Sequence, residues 1–406
     1  MNIKKIGEKV KILYNKNGDI MKIKRLIVSI AMIFLLTSCQ ELGGFFSSFL
    51  NNSSDSISSS TNTTSINQSI TNPFNSKVKM LTELDSNDND LDVTFLQMEN
   101  SNTYKQCGDS IYISIGNIDI VIDAGTKGIG TYSVVPFLQE QVEDKIIELV
   151  VVTHTDSDHL GGMIGNKVNG KNLGVFTIPE FEILNVIDCG YEPTTAMYQD
   201  YKELLNSLID NGTNYYKYED MINDELTPNE FYLGKDCSLK ILDSKMYDFS
   251  SSDTNDYSIP CLLEHGKIRY LLTGDCETKA EANLAKLNIG TVDLFKAGHH
   301  GSPTSNTEVF LDTINPKNVV ICSSYENSYN LPKKNVIDLF VEKYTQNVYG
   351  TFINGNIHAV SNKEELSIWC EGYKDYYNNN GNIDEKTKTL IPIQDSYWYE
   401  NVGVYA

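Results

Sequence analysis

Six consecutive positions, His154-Thr155-Asp156-Ser157-Asp158-His159, hold two imidazoles and two carboxylates in a chain with only six histidines. They follow the apolar run IIELVVV and precede Gly161-Gly162. Burying four such groups at a strand end is costly unless something compensates them, and a bound cation does so economically. His154 and Asp156 stand two apart, so an extended backbone turns both to one side. Asp158 and His159 follow at the next turn, and the glycine pair lets a neighbouring backbone pass close by. One segment thus offers an imidazole and a carboxylate twice over, enough for two adjacent divalent cations. Singly, each residue reads as an ordinary hydrogen-bonding group; the whole string after a β-run does not.

Two further apolar runs end in ligand types. LLTGDCE (271–277) carries Asp275 beside a glycine, and FKAGHHGS (295–302) carries His299 and His300. Alone, each reads as a turn. Together, three strand ends bearing hard or borderline ligands point to one site. Two cations about 3.5–4 Å apart lower the pKa of a shared water toward neutrality and polarise an electrophile. They also neutralise charge developing on its oxygens. Carboxylates and neutral imidazoles are ready to ligate near pH 7. Such hydrolysis needs no Ser–His–Asp or Cys–His arrangement.

The surrounding pattern supplies the elements that must position these residues. LDVTFLQM (91–98), SIYISIG (110–116), IDIVIDAG (118–125) and IIELVVVTH (146–154) read as strands from their alternation or β-branched content. SLKILDS, SIPCLLEHG, KIRYLLTGD, the VDLFK start of 292–302 and NVVICSSY read as further strands, with NVYGTFI and NIHAVS pairing around Asn354-Gly355. Helical spacing marks 132–145, 198–212, 278–290 and the LPKKNVIDLFVEK segment. Strands that pair locally and then alternate with helices, twice over, suit two sheets packed face to face with helices outside. No internal repeat is present.

Charge and ends narrow the partners. The 33 basic and 54 acidic residues of this 406-residue chain give a net charge of -21. Residues 1–38 hold eight basic and two acidic residues, so the remainder carries 25 and 52, a balance of about -27. Such a surface disfavours broad nucleic-acid binding but leaves room for a local site. MKIKRLIVSIAMIFLLTSCQ (Met21 to Gln40) has a basic start, an apolar run shorter than the roughly 20 residues of a spanning helix, and then LTSC. It resembles a bacterial lipoprotein signal, which implies cleavage before Cys39, a lipid on its sulfur and an extracytoplasmic, membrane-anchored chain. Residues 1–20 precede Met21, which reads as the better start. The expected order is a signal over 1–38, a lipidated Ser/Asn-rich tether over 39–89, a folded domain over 90–370 and a Tyr/Asn-rich extension over 371–406. That extension is expected to pack on the domain as extra strands. The other seven cysteines show no CxxC spacing and read as buried small hydrophobes, with no disulfide expected.

HTDSDHLGG, LLTGDCE and LFKAGHHGSPTS resemble the metallo-β-lactamase superfamily, in particular the hydrolase domain of ComEC-type competence proteins. CGDSIYI and IDIVIDAG resemble that subfamily's opening strands, and YGTFINGNIHAVS its closing hairpin, so the resemblance covers about residues 90–362. It implies a four-layer αββα sandwich. His154 and Asp156 would bind one metal; Asp158, His159 and His300 would bind the second; Asp275 would bridge. His299 would contact the scissile group or protonate the leaving oxygen, the exchange of roles between His299 and His300 being the alternative. Zinc is the default for such donors, and Asp156, where many relatives have histidine, keeps manganese as an option.

The pattern also departs from the superfamily. No histidine lies between His159 and His265, where a further ligand is often found, leaving Asp188, Cys189 or water to fill that position. Tyr329-Asn330-Leu331-Pro332 stands where YGHP is common, and ENSNTYKQ stretches the spacing before CGDSIYI. Asp109 and Asp123 read as carboxylates supporting the ligands or a turn rather than as ligands. Lys296 reads equally as a charge near the cleft and as a solvated rim residue. Asn255 and Ser258 match a polar NxxS-like segment that orients a ligand or simply turns the chain.

The expected activity is hydrolysis of a phosphodiester, since two metals can hold both attacking and leaving oxygens. The substrate is expected to be a small phosphoester, a phosphorylated envelope polymer or nucleic acid; no protein partner is expected. Hydrolysis of a cyclic amide or ester, including lactams, is the second enzymatic reading. A surface binding module that kept the fold and lost the reaction is the third.

Overall fold

A computed structural model describes residues 77–82, 89–98, 107–248, 251, 253–325, 327–372, 389–396 and 398–399. The expected signal and Cys39, with most of the tether and of the extension, lie outside the described residues. Among the described residues no helix is long and apolar enough to cross a membrane.

Two eight-stranded mixed sheets carry the chain. The first runs in spatial order Val78–Met80, Glu230–Gly234, Cys237–Ile241, Cys261–His265, Ile268–Leu272, Leu294–Lys296, Val319–Ile321 and Val348–Gly350. The second runs Asn214–Lys217, Asn185–Asp188, Leu149–Val152, Ile118–Ile122, Ile111–Ile115, Leu91–Phe95, Ile357–Ser361 and Leu366–Cys370. Each sheet is part antiparallel meander and part parallel, with the parallel strands joined through helices. Parallel strands need such crossovers, and these place the helices on the outer faces.

Alternation builds the layers. Leu91, Val93 and Phe95 point inward and meet Phe231, Leu239, Leu263 and Tyr270 of the other sheet in a shared core. Outward residues of the second sheet, among them Tyr112, Val121 and Val150, pack under Leu138, Leu160, Tyr201 and Leu205. On the opposite side Leu271, Phe295 and Val319 pack under Leu284, Phe310, Ile337 and Phe340. This is the αββα sandwich expected from the sequence.

Four details differ from expectation. Val78–Met80, inside the segment expected to be tether, pairs parallel with Glu230–Gly234, so the fold begins before residue 90. The run 146–154 is two strands: Ile146–Ile147 pairs with Glu182–Ile183, and between the two the Glu148 side chain turns back onto the Asp119 amide at 2.8 Å. NVYGTFI and NIHAVS do not pair: Val348–Gly350 edges the first sheet and Ile357–Ser361 lies in the second. The helical turn Thr351–Asn354, ended by Gly355 at φ 71°, carries the chain from one sheet to the other. The described part of the extension packs as turns, with the Trp398 ring 4.8 Å from Phe352 and Ile393 in the outer core. All seven described cysteines are buried, and no disulfide forms among the described residues.

Candidate metal centre

The ligand-bearing strings sit at one edge of the sandwich, where parallel strands from both sheets end. Leu149–Val152 leads into His154, Ile268–Leu272 into Asp275, and Leu294–Lys296 into His299-His300. Open sheets gather ligands at the carboxyl ends of their strands. Asp109 and Asp123 flank the antiparallel pair Ile111–Ile115 and Ile118–Ile122 and reach the same edge.

The helix Ser157–Ile164 begins within the first string. Its first turn lies directly on the backbone of Ala124 and Gly125, through Ala124 N to His159 O at 3.0 Å and Gly162 N to Gly125 O at 2.8 Å. A Cβ on Gly162 would fall 1.9 Å from the Ala124 oxygen, so only glycine permits this approach. His299 and His300 adopt left-handed backbone, φ 49° and 52°, followed by Gly301 at 79°. Non-glycine residues reach that region at a cost of about 1–2 kcal/mol each. Asn306 holds the turn: it accepts from Gly298 N and donates to the Gly298 and Ser302 oxygens at 2.9–3.0 Å. The buried Glu281 carboxylate in turn accepts from the Asn306 and Thr307 amides.

Donor atoms from the three strings then converge. His159 Nε2 lies 3.1 Å from Asp275 Oδ2 and 3.3 Å from His300 Nε2. His300 Nε2 lies 3.2 Å from Asp275 Oδ2 and 3.5 Å from Asp158 Oδ2. Four donors with such separations approximate the ~3.4 Å edge of a tetrahedron with bonds of about 2.0–2.1 Å. Beside them lies His154, its ring centroid 4.1 Å from that of His159 and its Nε2 3.9 Å from Asp275 Oδ2 and 3.9 Å from Asp156 Oδ2. One oxygen, Asp275 Oδ2, therefore faces both groups. His154 Nε2 is buried and has no hydrogen-bond partner, and neither does Asp275 Oδ1. Unsatisfied buried polar atoms are rare, and a ligand accounts for them. A compact group of Asp109, His159, Asp275 and His300 also has metal-ligand composition.

The electrostatics favour a cation. Burial pushes the His154 imidazole down to about 4, helped by neighbouring His159, so it stays neutral and able to ligate. Burial would also push His159 and His300 down, but the Asp275 carboxylate, with Asp123 beside the first and Asp109 and Asp158 beside the second, holds both well above the ordinary histidine value. Burial would raise Asp275, yet His159, His300 and Lys296 hold it well below the carboxylate range. Positive charge is drawn to this pocket.

Ligand orientation comes from behind. His159 Nδ1 meets Asp123 Oδ2 at 2.7 Å, and Asp123 also accepts from Thr153 N and Oγ1. His300 Nδ1 faces the Cys322 oxygen at 3.1 Å and Asp109 Oδ1 at 3.3 Å. Asp109 and Asp123 thus contact the ring nitrogens turned away from Asp275. Ser258 Oγ accepts from the Asp275 backbone amide at 3.0 Å and fixes the backbone there. Thr254 donates to Asp156. His299 differs from its neighbour: its ring is partly exposed, Nδ1 lies 3.2 Å from both Glu277 Oε1 and Thr304 Oγ1, and Nε2 lies 3.9 Å from Asp275 Oδ2.

Several expectations change. Lys296 is no rim residue: it is fully buried and pairs with Asp109. Asp188 does not serve the first group, because its oxygens already accept from Gly190 N, Tyr215 OH and Tyr201 OH at 2.7–3.1 Å. Cys189 lies in the inner core. Leu331 is buried too, and Pro332 backs onto Gly301. Sequence reasoning overlooked Glu277 and Thr254; Glu277 was within the quoted LLTGDCE string, whereas nothing marked Thr254.

No protein-family model matches the chain. It is similar to Recombination protein 2 of Haemophilus influenzae, 24% identical over 253 residues, covering 61% of this chain and 27% of that protein. It is similar to ComE operon protein 3 of Bacillus subtilis, 27% identical over 235 residues, covering 56% and 26%. The chain therefore spans about a quarter of the length of the curated relatives it matches. Among solved structures it resembles the metallo-β-lactamase fold protein YhfI from Bacillus subtilis, with a TM-score of 0.43, 9% identity, and coverage of 67% of this chain and 100% of that one.

Proposed function

We propose that this chain, which has the metallo-β-lactamase fold and a competence-protein-like sequence, is a metal-dependent hydrolase of phosphodiesters. The observation that carries the proposal is Asp275 Oδ2, which His154, His159 and His300 all approach within 3.9 Å, with Asp156 next to His154 and Asp158 next to His300. These six residues would hold two divalent ions, with zinc first and manganese second by donor type. When bound, such ions supply an ionised water near neutral pH and offset the charge that builds on a phosphoester's oxygens.

The chain's own residues do the rest. Asp123 orients His159, the Cys322 oxygen orients His300 with Asp109 beside it, and Ser258 fixes the Asp275 backbone. His299 is partly exposed beside the cluster, with Glu277 on its far nitrogen, a geometry suited to giving a proton to the leaving oxygen. The acidic remainder of the surface favours small or localised phosphoesters, including those of envelope polymers, over long nucleic acid. Anchoring by lipid at Cys39 on the extracytoplasmic face is part of the same proposal.

Turnover of a diester panel that includes bis(p-nitrophenyl) phosphate, with zinc or manganese added, tests the reading. Diester turnover in the wild type that disappears in Asp158→Ala supports it. Lactam turnover without diester turnover transfers the activity to the second class. Tight metal binding with neither activity makes the chain a binding module, a reading favoured by Asp188 being committed to its tyrosines.

A further inference from the structure

Lys296 ends the strand Leu294–Lys296 with its side chain fully buried. A buried ammonium is costly unless it is paired and hydrogen-bonded. Here Nζ forms a close ion pair with Asp109 Oδ2, donates to the Gly274 oxygen at 2.9 Å and stands 3.5 Å from Asp275 Oδ1. Its three neighbours are all oxygens, two of them carboxylate. That is the donor set of a hard cation.

The two Asp275 oxygens have different surroundings. Oδ2 faces His154, His159, His299 and His300 at 3.1–3.9 Å. Oδ1 has no hydrogen bond, and its nearest charge is Lys296. At Asp109, Oδ2 is taken by Lys296 and also lies 3.9 Å from His159 Nδ1, while Oδ1 makes no hydrogen bond and stands 3.3 Å from His300 Nδ1. Lys296 therefore meets both carboxylates, and at Asp275 it meets the oxygen turned away from the histidine Nε2 donors.

We propose that Lys296 is a positioning residue: its ammonium occupies a third cation position, formed by Asp109, Asp275 Oδ1 and the Gly274 oxygen. This inference rests on the two-metal reading above. Its effect is to limit Asp275 to one oxygen toward the metals and to hold Asp109 behind His159 and His300. The number of divalent ions held is thereby capped. A fixed charge does this at every metal concentration, which a third exchangeable ion would not.

The test is manganese stoichiometry in the metal-stripped full chain, measured by calorimetry and elemental analysis. The variants are Lys296→Ala, Lys296→Arg and the double variant Asp109→Asn with Lys296→Ala. Lys296→Ala exposes the three oxygens and is expected to bind one more manganese per chain than the wild type. Its melting temperature should rise further with manganese than the wild-type value does. Lys296→Arg keeps the charge and the wild-type count, and the double variant, having exchanged a carboxylate for a neutral and weaker amide oxygen, returns to that count. If Lys296→Ala does not fold without metal, the manganese count after refolding in manganese gives the same readout. A Lys296→Ala chain that folds and binds the wild-type number of ions, with unchanged manganese dependence of melting, overturns the inference. A wild type that binds no divalent ion instead overturns the two-metal reading itself.

Discussion

The His159 Nδ1 atom lies 2.7 Å from the Asp123 carboxylate, and this contact decides which of its two nitrogens faces Asp275. A carboxylate behind a ligating imidazole fixes its tautomer and ring plane and raises its basicity. Asp123→Asn keeps the shape but removes the charge. Metal affinity is expected to fall about 10–100-fold, measured by competition with a chromophoric chelator. Because Asp123 also accepts from Thr153, a melting curve must show that the variant remains folded.

His300 and His299 should separate by readout. His300→Ala removes a converging donor, and elemental analysis should find fewer bound ions. His299→Ala should keep the metal content and lower kcat by about 10²–10⁴, the range of a lost general acid. Equal metal loss in both variants would assign the two residues the same role.

Glycine at 162 is a steric requirement. Gly162→Ala puts a methyl 1.9 Å from the Ala124 oxygen and should cost about 3 kcal/mol or more in urea unfolding. Gly170→Ala is the control: its φ is +81° but nothing lies within 4 Å, so it should cost only about 1 kcal/mol.

The far edge of the second sheet carries a pH dependence of its own. His358 is stacked 3.8 Å from Trp369, with Asp92 and Glu371 each 3.2 Å from its nitrogens. Burial would push its pKa down, but the two carboxylates hold it up at about 9. A folded value above the unfolded one of about 6.5 means this stabilisation is complete below pH ~6.5 and is lost as pH climbs through about 9. Both carboxylates are substantially exposed, so screening reduces the contribution to about 1–2 kcal/mol. The melting temperature should fall by a few degrees across that window, and His358→Gln should flatten the profile.

The sandwich and the strand ends that carry the donors were readable because burial, period and ligand chemistry agreed at those places. Lys296 was readable too, had its alternation with Leu294 been followed: Leu294 points into the inner core, so Lys296 two residues on does the same. Asn354-Gly355 misled because a glycine with positive φ ends a helical turn as well as it closes a hairpin. Val78–Met80 is too short to stand out from a polar tract, and it forms only because Glu230–Gly234 offers it an edge. The left-handed backbone of His299 and His300 has no local signature; the Asn306 and Glu281 contacts that hold it are tertiary.

Anomalous diffraction from crystals grown with zinc or manganese shows whether Asp275 stands between two ions. Two peaks about 3.5–4 Å apart are expected, one against His154 and Asp156, the other against Asp158, His159 and His300, with Asp275 between them. Crystals holding ample metal in solution yet showing no peak within bonding distance of Asp275 would contradict the two-metal reading.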